Sequence, residues 1–272
     1  MANLRAIGDI DGVGNGADLE TTMSTGPKTE GTDTRPKVAI TCTTTGSLRH
    51  ETAASLMRTM QDKRFQITLS LLNDRPYESA LNVAAMLVMQ EDFDWWIHID
   101  NDQHWRGNPL DSIEHGKDVL GYPCPIHRPG DGSAIMCWNA WHIMDPEDKS
   151  QVSAAQSRGK LQRVDIIGSG SFLIRLDALR EAAIPAPFAR AYDVNGVATC
   201  GGDIEFCRKV REAGLQIWAD FGNVTGHLVT VDLLDVMTDM GTIQAEAHKG
   251  SPVAPDDGLI ITPTGAKIPP RL

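Results

Sequence analysis

Asp100, Asn101 and Asp102 form the stretch of this sequence with the most chemistry in the fewest residues. Two carboxylates one residue apart offer oxygen ligands of the kind hard divalent cations take. Mg²⁺-type ions are commonly held by one or two carboxylates together with substrate phosphates. The pair therefore suits a handle for a metal–diphosphate unit, and it equally suits a solvated acidic turn. The residues before it argue for a defined placement. Phe93, Trp95, Ile97 and Ile99 alternate with period two, which predicts a short strand buried in a sheet, with these four on one face. Open α/β sheets place their ligands at the carboxyl ends of their strands, and the acidic pair falls at such an end.

The elements that must hold this strand begin near Pro36. Residues 37–42 (KVAITC) read as a first parallel strand followed by a polar loop, residues 51–63 as a helix, and residues 66–72 (QITLSLL) as a second strand. Residues 77–90 (YESALNVAAMLVMQ) read as a helix with Leu81, Ala84, Ala85 and Val88 on one side. Asn82 lies within it, and its amide needs a backbone or ligand partner if buried. This β–α–β–α–β order predicts a nucleotide-type half-fold. Downstream, residues 108–116 read as a short helix, 117–122 as a strand and 134–144 as a strand or ribbon. Residues 145–160 read as an exposed connection. An apolar strand over 163–175 is interrupted by Gly168, Ser169 and Gly170, which marks a bulge or the close approach of another backbone or ligand. Asp203 is placed to cap a helix over 203–213, with Ile204, Cys207 and Val210 inward, and His227 follows a last strand.

Composition sets limits. The chain has 272 residues, enough for one large core or a core plus an appendage. Its 25 basic against 36 acidic residues leave a formal charge of −11, which argues against a broad electrostatic grip on nucleic acid or an anionic membrane. No signal peptide or membrane-spanning run is visible, so a cytoplasmic protein without stable membrane insertion is expected. Five cysteines without a C-x-x-C pair favour reduced thiols over disulfides or a zinc site. Residues 1–35 read as a mobile tail, 36–230 as the folded domain, and 231–272 as a helix to about His248 with an irregular end. The segment from Asp9 partly matches a calcium loop, but it lacks flanking helices, and a disordered reading is preferred.

The order of these segments resembles a GT-A-type, family-2-like nucleotide-sugar glycosyltransferase over about residues 37–230. VAITC, RPYESALNVAA, IHIDND, DIIGSGSFLIR, GGDIEFCRKVREAGLQIWAD and VTGHL carry the resemblance jointly. It implies an α/β fold with a Rossmann-like, mostly parallel central sheet flanked by helices, and a small acceptor-side subregion. By the resemblance, Asp102 ligates Mn²⁺ or Mg²⁺, and Asp100 contacts the metal or the donor's ribose. His227 is the distant metal-binding histidine. The resemblance also makes Asp203 the general base of an inverting transfer, although the family's Glu-Asp pair is here Gly202-Asp203 and the first acid is missing. Thr41, Thr43, Arg75 and Asn82 fall where the family binds nucleoside or sugar. Gly168, Ser169 and Gly170 would line the donor-sugar pocket. Trp138, Trp141 and His142 could form an acceptor platform or belong to the core. Taken alone, His227 also suits a structural histidine and Asp203 a plain helix cap.

The implied partners are a nucleotide-diphosphate sugar and an acceptor that the sequence leaves open among small molecules, glycans, proteins and modified nucleic-acid bases. A nucleotidyltransferase remains an alternative, but the loop CTTTGSLRH offers one glycine and Arg49 in place of a Gly-rich basic phosphate loop. A non-catalytic sugar-nucleotide-binding module is the third reading.

Overall fold

The computed structural model describes residues 3–6, 33–73, 76–129, 134–145, 147, 151–157, 159–230, 260–261 and 267–268. Arg75, the segment from Asp9 to Glu20 and the helix expected to reach His248 lie outside the described residues. In chain order the first half contains β1 (Asn3–Ala6), β2 (Lys37–Thr44), α1 (His50–Thr59), β3 (Gln66–Asn73), α2 (Tyr77–Gln90), β4 (Trp95–Asp100) and β5 (Gln103–Trp105). A 3-10 helix, Pro109–His115, leads to β6 (Val119–Gly121). Next come β7 (Pro125–Pro129), β8 (Ala134–Trp138), β9 (Ala140–Ile143), β10 (Val152–Ala154), β11 (Leu161–Val164), β12 (Ile166–Ile167) and β13 (Ser171–Arg175). The last elements are α3 (Leu176–Ala182), β14 (Ala191–Tyr192), β15 (Ala198–Cys200), α4 (Gly202–Glu212), β16 (Ile217–Asp220) and β17 (Thr225–His227).

Two compact units divide the chain, residues 1–128 with 136–228, and residues 129–135 with 229–272. In the second unit, Ile260–Ile261 pairs antiparallel with Lys267–Ile268. In the first, eight strands form one sheet in the order β1-β3-β2-β4-β13-β6-β16-β11. β1, β3, β2 and β4 run parallel, as do β6 and β16. β13 runs antiparallel to both β4 and β6, and β11 antiparallel to β16. The expected α/β class, with a mostly parallel central sheet flanked by helices, holds. No helix among the described residues is long and apolar enough to cross a membrane.

β4 is covered on both faces, as a central strand of such a sheet must be. Ile97 and Ile99 join a cluster with Leu56 of α1, Leu110 and Leu173. Trp96 joins the opposite cluster with Leu81 of α2, Phe172, Leu179 and Phe206. The single apolar face expected from Phe93 to Ile99 is therefore divided. Trp95 packs with the first cluster and Phe93, before the strand begins, with the second. On α4 the expected inner face also shifts. Phe206 stacks on Phe188 at 4.4 Å and 14°, which turns Cys207 and Val210 inward and leaves Ile204 at 40% exposure. α2 keeps its expected bounds and its buried stripe of Leu81, Ala84, Ala85 and Val88.

Candidate functional site

β4 ends at the carboxyl edge of the sheet with Asp100, and register places Thr43 of β2 beside it. The Thr43 hydroxyl donates to Asp100 Oδ1 at 2.8 Å, and His98 Nε2 lies 3.1 Å from the same oxygen. An ionised carboxylate only accepts, so Nε2 donates. His98 Nδ1, 2.9 Å from Thr41 Oγ1, then accepts from the Thr41 hydroxyl, which itself accepts from Trp96 Nε1 at 2.8 Å. Trp96, Thr41 and His98 are all buried, so a closed chain of hydrogen bonds sets the Asp100 carboxylate from beneath. Thr41, expected at the nucleoside, is buried and acts on the cleft through His98 and Asp100.

From above, the Tyr77 hydroxyl donates to Asp100 Oδ2 at 3.2 Å and lies 3.0 Å from Ser169 Oγ. Its only proton is spent on the carboxylate, so Ser169 is the donor between the two hydroxyls. Enclosure of the hydroxyl, with the Asp100 charge beside it, pushes the phenol well above its ordinary pKa and keeps it a donor. The residue as a whole stays 36% exposed at the edge of the site. Thr43, Thr45, Leu72, Tyr77, Asp100 and Asp102 line a cleft of about 280 Å³ at the carboxyl ends of the strands. A larger cavity of about 610 Å³ sits at the amino ends of β2 and β3, against Arg35, Asp62 and Phe65, and none of the expected site residues lines it.

The glycine-containing break before β13 brings another backbone close, as its glycines implied. Asp100 N donates to Gly170 O at 2.8 Å. A Cβ on Gly170 would sit 2.9 Å from Asp100 Oδ2 and closer still to the Gln103 amide. Gly168 instead accommodates Asn139, whose Nδ2 would stand 2.5 Å from its Cβ. Ser169 and Gly170 thus border the Asp100 site, and Gly168 supports the β8–β9 region. Gln103 is 4% exposed, and its Oε1 has no hydrogen-bond partner among the described residues.

Antiparallel pairing of β17 with β5 brings His227 across the chain, opposite Gln103. Leu228 N donates to Asp102 O at 2.8 Å and closes this corner. His227 Nε2 stands 3.7 Å from Asp102 Oδ2, and its Nδ1 is 3.3 Å from the Pro125 carbonyl oxygen. A carbonyl accepts, so Nδ1 donates to it, and the other ring nitrogen, Nε2, points at the carboxylate. That carboxylate, with the Cys124 thiol as a lesser influence, pushes His227 up to about 10. Among the described residues no three His, Cys, Asp or Glu side chains converge as a metal cage. The expected trio divides into the Asp102–His227 pair and Asp100, whose oxygens are engaged by Thr43, His98 and Tyr77.

Asp203 lies in the first turn of α4, whose N-cap is Gly201. The expectation that Asp203 itself caps the helix is corrected by two positions, because the extended residue at the helix start is Gly201. Asp203 Oδ1 accepts from the backbone N–H of Ile204 at 2.9 Å. Burial raises its pKa above the ordinary carboxylate value despite that bond, and the Glu78 charge adds to the effect. Gly202 has no space for a side chain. A Cβ there would collide with the Phe188 carbonyl oxygen and lie 2.7 Å from Glu78 Cγ. Glu205 is 6% exposed and paired with Arg208 at 2.6 Å, a structural role.

The remaining expected residues lie outside this cleft. Asn82 Oδ1 accepts from Phe188 N at 2.9 Å, so the amide in the apolar helix holds backbone. Trp141 is 7% exposed and belongs to the core, which leaves no free ring face for a platform. Trp138 packs edge-on against Phe221 at 5.7 Å, and His142 lies 3.3 Å from Gln162. Sequence reasoning missed Tyr77, Glu78, His98 and Gln103. Tyr77 and Glu78 had one available signal, their place in the first turn of a helix that starts at the carboxyl edge of the sheet.

No protein-family model and no curated protein matches the chain. Among solved structures, the crystal structure of A197 from STIV aligns over 71% of this chain and 86% of its own, at 14% identity and a TM-score of 0.50. That likeness is one of fold. The crystal structure of GalNAc-T7 with UDP, GalNAc and Mn²⁺ aligns over 74% of this chain at 10% identity and a TM-score of 0.46. The chain spans 45% of that protein's length. S. aureus TarS 1-349 in complex with UDP aligns over 80% of this chain and 67% of its own, at 15% identity and a TM-score of 0.43.

Proposed function

We propose that this chain is a metal-dependent glycosyltransferase, moving a sugar from a nucleotide-diphosphate donor to an acceptor hydroxyl with inversion. The observation that carries the reading is the meeting of Asp102 and His227. Strand pairing turns the Nε2–H of a carbonyl-anchored imidazolium toward a carboxylate at the mouth of a cleft of nucleotide-binding topology. An imidazolium held against a carboxylate is an arrangement in which a divalent cation can replace the proton. Two protein ligands also suit a cation whose other positions are taken by substrate phosphates. Asp102 and His227 would hold Mn²⁺ or Mg²⁺ there. Bound, it would neutralise charge on the departing diphosphate.

Asp100 is spared for the donor. Its carboxylate is pre-set by Thr43, His98 and Tyr77, and it faces the cleft as a hydrogen-bond acceptor for ribose hydroxyls. Gly170 leaves the room in which Asp100 and Gln103 close against the chain entering β13. Asp203 takes the proton from the acceptor hydroxyl as that oxygen bonds to the anomeric carbon. The bond from this carbon to the diphosphate oxygen breaks, and its electron pair leaves with the nucleoside diphosphate. A carboxylate whose proton affinity is raised by burial is a better base for this step than a solvated one. The test is a donor-binding and transfer assay on Asp102→Ala and Asp203→Asn. The first should lose cation-dependent donor binding, and the second should bind donor normally and fail to transfer. Wild-type transfer by Asp203→Asn would refute the base assignment.

A further inference from the structure

A second opening adjoins Asp203. Ser79, Asn82 and Met86 share the outward face of α2, and Ala189–Tyr192 lies across from them. Between them runs an open groove of about 530 Å³ lined by Glu78, Ser79, Asn82, Met86, Arg190 and Tyr192. Glu78 and Arg190 form an ion pair that ties the helix to the facing segment. The same Glu78 side chain occupies the space that a side chain at Gly202 would need, directly before Asp203. A carboxylate from α2 thus stands beside the base where the base's own helix has none.

The chemistry of the groove is specific. A carboxylate and a guanidinium are planar groups that pair two hydrogen bonds at a time, the geometry of adjacent sugar hydroxyls, and Asn82, its oxygen held by Phe188 N, adds an N–H donor. Tyr192 is 61% exposed and presents a ring to water at the groove edge, as stacking on the apolar face of a pyranose requires. The charges of Glu78 and Arg190 cancel, so a neutral ligand meets no net field, and the formal charge of −11 disfavours a nucleic acid. We propose that this groove binds a carbohydrate acceptor, with Glu78, oriented by Arg190, holding the nucleophilic hydroxyl toward Asp203. The inference rests on the glycosyltransferase reading and names its acceptor class.

The groups facing Asp203 are Glu78 and Tyr77 from α2, Arg190 from the opposite segment and Cys207 from its own helix. Replacing Glu78 by Gln removes the negative charge among them, so the acidic limb of the transfer profile should move to lower pH. The probes are lactose, cellobiose, maltose and chitobiose, titrated into the full chain with the Met86 methyl group as an NMR reporter. Nucleotide-sugar stabilisation is measured on the same samples. At least one disaccharide should move the Met86 signal, and Tyr192→Ala, which removes an exposed ring and spares the fold, should weaken it roughly tenfold. Glu78→Gln should raise the acceptor KM and shift the acidic limb, with donor binding unchanged. A still Met86 signal with all four sugars, while nucleotide sugars stabilise the protein, overturns the groove and leaves the transferase reading standing. A moving Met86 signal without any nucleotide-sugar stabilisation supports the groove and overturns the transferase reading instead.

Discussion

Replacing Thr41 by Val tests whether the site is set from beneath. The two side chains have nearly the same shape, so the substitution removes a hydroxyl and leaves the volume. That hydroxyl accepts from Trp96 Nε1 at 2.8 Å and bonds His98 Nδ1 at 2.9 Å, and all three groups are sealed from solvent. Val leaves one buried donor and one buried acceptor unpaired, each at about 1–3 kcal/mol. Part of this is recovered by the added apolar surface, so the net loss should be about 2–4 kcal/mol. For a chain of this size that corresponds to a fall in Tm of roughly 5–10 °C. Urea denaturation followed by tryptophan fluorescence reads the same loss, and Thr43→Val is the control. Thr43 Oγ1 gives one bond at 2.8 Å to Asp100, whose other partners remain, so about 1 kcal/mol is expected. If Thr41→Val unfolds within about 0.5 kcal/mol of wild type, the buried chain from Trp96 to Asp100 does not hold the site together.

Three further outcomes follow from the same geometry. Asp203→Asn should lower transfer by roughly 10²- to 10⁴-fold, as loss of a general base does. It should also stabilise the protein at neutral pH. The folded carboxyl has a raised pKa, so its stability contribution is complete below the unfolded value and is lost as pH rises through the folded value. Asn carries no such penalty, and thermal unfolding across that window should show a flatter pH dependence for the variant. Asp102→Ala should keep the fold, since the backbone carbonyl makes the bond to Leu228, lower Tm at neutral pH because His227 loses the carboxylate that favours its protonated form, and abolish the cation dependence of donor binding in calorimetry. Gly202→Ala should cost about 1–3 kcal/mol in chemical denaturation, because the new methyl meets the Phe188 carbonyl and Glu78.

Local pattern carried much of this architecture. Helix α2 is strongly periodic, and its ends coincide with expectation because Pro76 precedes it and the apolar stripe runs unbroken to Val88. The interruption at residues 168–170 signalled a close approach, and Gly170 lies against Asp100 for that reason. What periodicity could not reveal depends on register between distant strands. Nothing local says that residue 41 faces residue 98 or that His227 lands opposite Gln103. Glu78 escaped notice for a related reason, since its relation to Gly202 arises only where α2 and α4 meet. Trp141 shows the opposite limit. Its residue type suits a stacking platform and a core equally, and only the pairing of β9 with β12, which sets Trp141 beside Ile166 in the core cluster, decides for the core.

The most direct test of the central claim is a thermal-shift titration of the full chain against a panel of nucleotide sugars, each with and without Mn²⁺. A ligand that binds only the folded state raises its stability by mass action, by about 2.7 kcal/mol at a hundredfold excess over Kd. A nucleotide-diphosphate sugar should raise Tm in a way that requires Mn²⁺ and disappears in Asp102→Ala. Stabilisation by free nucleoside triphosphates with none from any nucleotide sugar would contradict that claim.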